Sequence, residues 1–358
     1  MKIECPTCRH VNRVSGNLMV TRSKGLEVNC PKCKALIKLY VLAKSGKDGA
    51  RQTAYDPFGD QNEPLPYDAG KHSGNPALKT KILRNLVNLP PMPHIILKAK
   101  EIMQDRHSSL RDLAGVIETD QAIVARVLTL ANSAYYGVSG MVSSIQHASV
   151  LLGQKTLGEL ITISASSRLL SKRLKGYKVE PESLWKHSLA VAFGSKIIVQ
   201  QLVPELADDA FVAGLLHDAG KIILDPYVQE RRADFEKFLK GGNKSFLEAE
   251  HEILGFDHAE IMSRATRFWR FSEAQSSAIR FHHYPSVSEN NQLAHVVHLA
   301  NYLANTADLG SGGDGSRPRL EAGVMKFLGI SADCLDMVLD EVVGSISKLE
   351  EEYQVKPR

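Results

Sequence analysis

An all-α body over residues 78–352, preceded by a small β module, is the fold class the sequence predicts. Three observations lead there. Apolar residues recur at helical spacing almost without interruption from Leu78 onward. Four of the five cysteines fall within the first 33 residues. A segment rich in Gly, Pro, Asp and Asn, with no periodicity, separates the two. A hydrophobic content of 43% with 23% charged residues is that of an ordinary globular protein. No apolar run approaches the roughly 18 to 20 residues a membrane span needs. The first residues, MKIECPTCRH, lack the apolar core of a secretory signal, so the chain reads as cytoplasmic with no membrane partner.

The first module spans 1–44. Cys5-Pro-Thr-Cys8 and Cys30-Pro-Lys-Cys33 are two CxxC units separated by 21 residues. Zinc held by four thiolates needs two ligand pairs, each on a tight turn that aims both sulfurs at one point, and two such knuckles supply it. The short runs Leu18–Val20, Leu26–Val28 and Leu36–Leu42 predict a small antiparallel sheet between them. So small a segment has little core of its own, and structural zinc would be most of its folding energy. Residues 1–52 carry eleven Lys or Arg against three Asp or Glu, an excess of +8 in a chain whose total is +4. That charge would attract phosphates, yet Tyr40 is the one aromatic residue available as a platform, so nucleic acid is a weaker partner for this module than another protein. The fifth cysteine, Cys334, reads as a small buried hydrophobe.

Residues 45–77 read as a flexible linker. Beyond it, Ile82, Leu83, Leu86 and Leu89 give a short amphipathic helix stopped by Pro90-Pro91. Further helices are predicted at about 94–105, 109–118, 120–134, 145–152, 154–173, 181–203, 207–224 and 226–240, then 245–253, 257–268, 272–283, 289–307 and 332–352. Ser109 and Asp120 stand where N-caps belong, and Pro181 where a first-turn proline belongs. Asn132 and Ser133 are placed to cap or bridge helix ends. The glycine-rich stretch 309–319 reads as a loop.

Within this body, His217 and Asp218 stand side by side in AFVAGLLHDAGKIIL. Burying such a pair in an apolar stretch is costly unless a metal, a partner charge or a closed hydrogen-bond network satisfies it. His187, His258, His282 and His283 come from other helices, and His295, His298 and Asn301 lie three apart along one stripe. Imidazoles and a carboxylate drawn from separate helices suit a transition-metal site able to activate water. Each histidine alone is more often a core residue bonded to a carbonyl. His251, between Glu250 and Glu252, reads as a surface position ahead of a substitute ligand.

The order H…HD…H…HH resembles the HD superfamily of metal-dependent phosphohydrolases. The stretches LPPMPHIILKAKEIM (89–103), IETDQAIVARVLTLANSAYYG (117–137), FVAGLLHDAGKIIL (211–224) and FHHYP (281–285) resemble the HDOD family, the HD-related output domains of bacterial signalling proteins. Residues 1–40 resemble the short zinc ribbons of bacterial proteins. The resemblance implies an all-α HD-like domain of two helical layers. It places possible HD-site metal ligands at His187, His217, Asp218, His258, His282 and His283, beside the ribbon zinc on Cys5, Cys8, Cys30 and Cys33. A closing carboxylate is implied where this chain has Asn301, a poorer ligand for a second divalent cation. Lys221 would face a substrate phosphate in an active relative, and here also reads as a solvated or salt-bridged lysine. The sequence HHYPSVSENN departs from the cyclic-di-GMP phosphodiesterase branch, which has an acid and a GYP loop at this point.

The function implied is a bacterial signal-transduction protein whose HDOD domain is a non-catalytic output or scaffold module, with the ribbon contacting a signalling partner. The alternatives are a metal-dependent phosphohydrolase acting on a phosphodiester or nucleotide, and a nucleic-acid-binding regulator working through the basic ribbon.

Overall fold

The computed structural model describes residues 2–4, 11–13, 26–29, 36–39, 76–87, 98–99, 101–102, 108–118, 120–138, 140–240, 244–310, 313 and 319–353. The chain divides into two units, Met1–Asp56 and Pro57–Arg358. In the first, β1 (Lys2–Glu4) pairs antiparallel with β2 (Val11–Arg13), and β3 (Leu26–Asn29) with β4 (Leu36–Leu39). The runs predicted from Leu26 and from Leu36 are thus strands, whereas the one at Leu18–Val20 lies outside the described residues, as do Cys5, Cys8, Cys30 and Cys33.

The second unit is helical. After α1 (Pro76–Val87) come α2 (Leu110–Ile117), α3 (Gln121–Ala131) and α4 (Ile145–Leu170), which form a first layer with α2 and α3 both packed on α4. Ser109 caps α2 through a capping box with Asp112, and the Asp120 carboxylate accepts from the amides of Ala122 and Ile123 to start α3. Asn132 ends α3 and ties it to the next turn: its Nδ2 donates to Leu128 O and Val142 O, and its Oδ1 accepts from Val142 N. Gly153, at φ 76°, breaks α4 where the sequence places two helices.

The second layer is built on α5 (Ser183–Leu202), buried on nearly every side, against which α6 (Ala207–Leu216), α12 (Gln292–Thr306) and α14 (Ala332–Tyr353) pack. Between α6 and α12 the chain runs through α7 (Gly220–Glu230), α8 (Arg232–Leu239), α9 (Phe246–Leu254), α10 (His258–Phe268) and α11 (Glu273–Phe281). A one-turn α13 (Val324–Leu328), which the sequence pattern does not reveal, packs on α12. The layers meet through α4 on α5 and α3 on α14. Close approach of helices depends on small residues: a Cβ on Gly214 of α6 would lie 2.8 Å from Val191 O of α5.

Four expectations need correction. The helix predicted over 207–224 is two helices, because residues 217–219 form a tight turn whose bonds run from Ala219 N to Leu216 O and from Lys221 N to Asp218 O. Gly220 makes that turn workable, since a Cβ there would sit 2.0 Å from His258 O. The second piece, α7, continues through Pro226 as far as Glu230, so no helix begins at 226. Pro181 precedes α5 instead of opening it, for Glu182 holds the N-cap position in the left-handed conformation, φ 69°. Cys334 is half-buried beside Ser331 and is not a core residue.

Candidate metal or polar centre around Asp218

The turn after α6 delivers His217 and Asp218 into the space enclosed by α5, α10 and α11. Asp218 is its hub. On the Oδ2 side stand Lys221 Nζ at 2.7 Å, His217 Nε2 at 3.5 Å and His187 Nε2, from α5, at 3.8 Å. On the Oδ1 side stand His258 Nε2, from the first residue of α10, at 3.1 Å, and His282 Nε2, just past α11, at 3.8 Å. His283 Nε2 lies 2.9 Å from His258 Nε2. Of these seven residues His283 alone is half-buried; the others are at most 1% exposed.

The local chemistry fixes which nitrogens face inward. His217 Nδ1 lies 2.7 Å from Gly214 O and His282 Nδ1 lies 2.8 Å from Ile279 O. A carbonyl only accepts, so each Nδ1 donates and, in the neutral ring, each Nε2 turns a lone pair toward Asp218. Neither Nε2 has a hydrogen-bond partner. Pinning a ring through its outer nitrogen is how proteins orient histidine ligands. The ligand atoms form two overlapping groups, His187–His217–Asp218 and Asp218–His258–His282–His283, each within 4.8 Å. The donor set therefore fits one or two divalent cations with Asp218 shared.

Charge tells the other half. Burial alone would push Asp218 up, but the Lys221 ammonium beside it holds its carboxyl well below the usual range. Burial pushes His258 down, and the Glu250 carboxylate against its Nδ1 (2.8 Å) overcomes this and raises it to about 10. His282 and His283 are driven well below 6.5 by burial and by the imidazoles beside them, so both stay neutral. Two buried carboxylates, Asp218 and Glu250, thus face two buried cations, Lys221 and His258.

The other expected residues lie elsewhere. His295 donates from Nδ1 to Asn291 O and stacks on Phe327 at 3.7 Å between ring centroids. His298 donates to His282 O (2.8 Å) and accepts from Glu321 N (2.9 Å), bracing the cluster from behind. Asn301 is half-buried, and its Oδ1 accepts from Asn305 Nδ2 at 2.8 Å. Lys221 does belong to the cluster, where it is 0% exposed and donates to Asp218 Oδ2 at 2.7 Å. His251 is largely buried near Asp257 and Glu260, not on the surface. Its neighbour Glu250 is the residue that reaches the cluster. The sequence offered a signal for it, an acid within an otherwise apolar helix face of α9, which the adjacent histidine obscured.

Comparison with known proteins agrees with this architecture. The family model described as the HDOD domain matches residues 89–285. A solved HDOD domain protein of unknown function from Geobacter sulfurreducens superposes with a TM-score of 0.66 at 24% identity, covering 78% of this chain and 98% of that one. A protein named as a candidate phosphohydrolase from Shewanella amazonensis SB2B superposes with a TM-score of 0.60 at 24% identity, covering 76% and 97%. An uncharacterized protein of Treponema pallidum (strain Nichols) is 23% identical over 207 residues, which is 58% of this chain and 40% of that protein's length. Among the described residues no helix is long and apolar enough to cross a membrane.

Proposed function

The chain belongs to the HDOD family, and from that premise we propose that it is a signal-transduction protein whose helical domain is a non-catalytic output or scaffold module. The observation that carries this reading is the contact of Lys221 Nζ with Asp218 Oδ2, 2.7 Å apart and both buried. An HD-type hydrolase needs that carboxylate for a metal, and the metal's charge for its chemistry. Here an ammonium of the chain's own already offsets the acid, and six of the seven groups are closed from solvent. A buried, charge-balanced cluster of this kind specifies one packing of the helices around it and makes that packing sensitive to any change at the hub. The cysteine-bearing N-terminal module, with its structural zinc, is proposed to contact the signalling partner.

A second reading has its own observation. His217 Nε2 and His282 Nε2 face Asp218 with no hydrogen-bond partner, and a divalent cation would satisfy them. When bound it would supply Lewis-acid activation of water for phosphoester hydrolysis. In that case His187, His217 and Asp218 would hold one ion, and Lys221 would keep the shared carboxylate ionised.

Metal analysis of the purified full chain, followed by assay on generic phosphodiesters, separates the two. The output-module reading expects metal that survives Asp218→Asn and is lost with Cys5→Ser, and no hydrolysis. A further equivalent of Mn, Fe, Co, Ni or Zn that disappears with Asp218→Asn, together with turnover, would overturn it in favour of the hydrolase.

A further inference from the structure

His258 is the first residue of α10, so its amide is one of the donors a helix start leaves unpaired. Asp257, at the N-cap, serves the Glu260 amide with its side chain. The His258 amide is served by Glu250, from the preceding helix. Gly255, at φ 81°, closes α9 in the left-handed conformation and turns the chain back so that α10 starts beside the last turns of α9. Glu250 Oε2 then accepts from His258 N and from His258 Nδ1, both at 2.8 Å. Its other oxygen, Oε1, accepts from the hydroxyl of Tyr177 at 2.7 Å. Glu250 is 0% exposed and Tyr177 3%.

Tyr177 arrives from a different part of the chain, the small hairpin closed by the Leu174–Val179 bridge between α4 and α5. That hairpin is clamped onto α7. Asp225 Oδ1 accepts from Gly176 N (2.7 Å) and Tyr177 N (3.3 Å), and a Cβ on Gly176 would lie 2.7 Å from Asp225 O. Asp225 stands one helical turn beyond Lys221 on the same helix. The hydroxyl of Tyr177 and the ammonium of Lys221 are thereby set from one rigid helix against the two carboxylates of the centre.

We propose that Glu250 is a positioning residue for His258 and Tyr177 its brace, together holding the His258 ring with its Nδ1 proton turned away from the cluster and its Nε2 facing Asp218 Oδ1 at 3.1 Å and His283 Nε2 at 2.9 Å. A carboxylate is required by count. Three donors (His258 N–H, His258 Nδ1–H and the Tyr177 hydroxyl) converge on two oxygens, whereas a glutamine would offer one oxygen and turn a competing N–H₂ toward a donor. A change in the first helical layer, which leads directly through α4 into this hairpin, would reach Asp218 by this route. The proposal rests on the cluster being the domain's working element, but not on whether the domain hydrolyses anything.

Imidazole NMR of the full chain labelled with ¹⁵N-histidine tests it. His258 is assigned by loss of its signals in His258→Gln, and His217 and His282 are internal references because their Nδ1 protons rest on backbone carbonyls. Glu250→Gln should speed exchange of the His258 Nδ1 proton by about tenfold or more, the share of one hydrogen bond to a charged group. Tyr177→Phe should speed it by a smaller factor, with both reference signals kept. Should Glu250→Gln fail to fold, Tyr177→Phe alone decides. Unchanged His258 exchange in a folded variant would overturn the proposal, and so would parallel loss of all three signals, which marks a merely structural role. Neither result would touch the metal and turnover assay.

Discussion

The two sides of Asp218 face opposite charge in different ways. On the Oδ2 side the partner is the Lys221 ammonium, at the start of the helix that follows the turn and three residues on in sequence. On the Oδ1 side it is an imidazole brought from another helix and made cationic by a second buried acid, Glu250. The first arrangement is local and preset by the chain. The second depends on α9, α10 and the Tyr177 hairpin all being in place. One side of the hub is thus fixed by sequence neighbours and the other depends on tertiary packing.

Removing the hub breaks both sides. Asp218→Ala strands the Lys221 ammonium in the interior and is expected to cost on the order of 3–5 kcal/mol in urea unfolding. Loss of less than about 1 kcal/mol would mean that water reaches these groups. Lys221→Met attacks only the Oδ2 side, and His217 and His258 remain beside the carboxylate, so a smaller cost of about 2–3 kcal/mol is expected. This variant also sharpens the comparison. If the lysine stands where a metal's charge would act, added Mn²⁺ or Zn²⁺ should restore stability to Lys221→Met and leave the wild-type chain unchanged.

The Oδ1 side should reveal itself through pH. His258 is raised from 6.5 to about 10, so its contribution is fully present below pH 6.5 and is lost as pH rises toward 10. His282 and His283 lie below 6.5, so their neutral burial favours folding above that pH and opposes it as pH falls. Stability of the helical domain should therefore decline from pH 6.5 toward 10, and His258→Asn should flatten that decline while the acid limb persists. An equally steep alkaline limb in the variant would show that the His258–Glu250 pair does not carry it.

Much of this centre was legible in the sequence, for stated physical reasons. An acid and an imidazole inside an apolar helix must find partners, and His187, His258, His282 and His283 are the groups that converge on them. Caps at Ser109 and Asp120, and the break at Gly153, were equally readable because their determinants are local. What escaped depends on residues far apart in sequence. The turn at 217–219 exists because Gly220 lies against His258 O, an approach no helical periodicity encodes. Glu250 was hidden since a capping acid and a surface acid look alike until the αL turn at Gly255 is known. His295 and His298 share a stripe with Asn301, yet different neighbours, Phe327 for one and His282 O for the other, give them separate work.

That last contrast supplies the smallest expected effect. His295→Ala removes a ring stacked on Phe327 and one local bond to Asn291 O, so about 1 kcal/mol should be lost and the cluster left as it was. His298→Ala takes the donor from His282 O, on the segment that carries the Oδ1 side, and the acceptor from Glu321 N. It should cost more and shift the His282 imidazole signals, which His295→Ala leaves alone. Matching spectra for the two variants would mean that His282 is held by the fold at large and not by its own carbonyl, and the Oδ1 side would then be as locally fixed as the side that Lys221 closes.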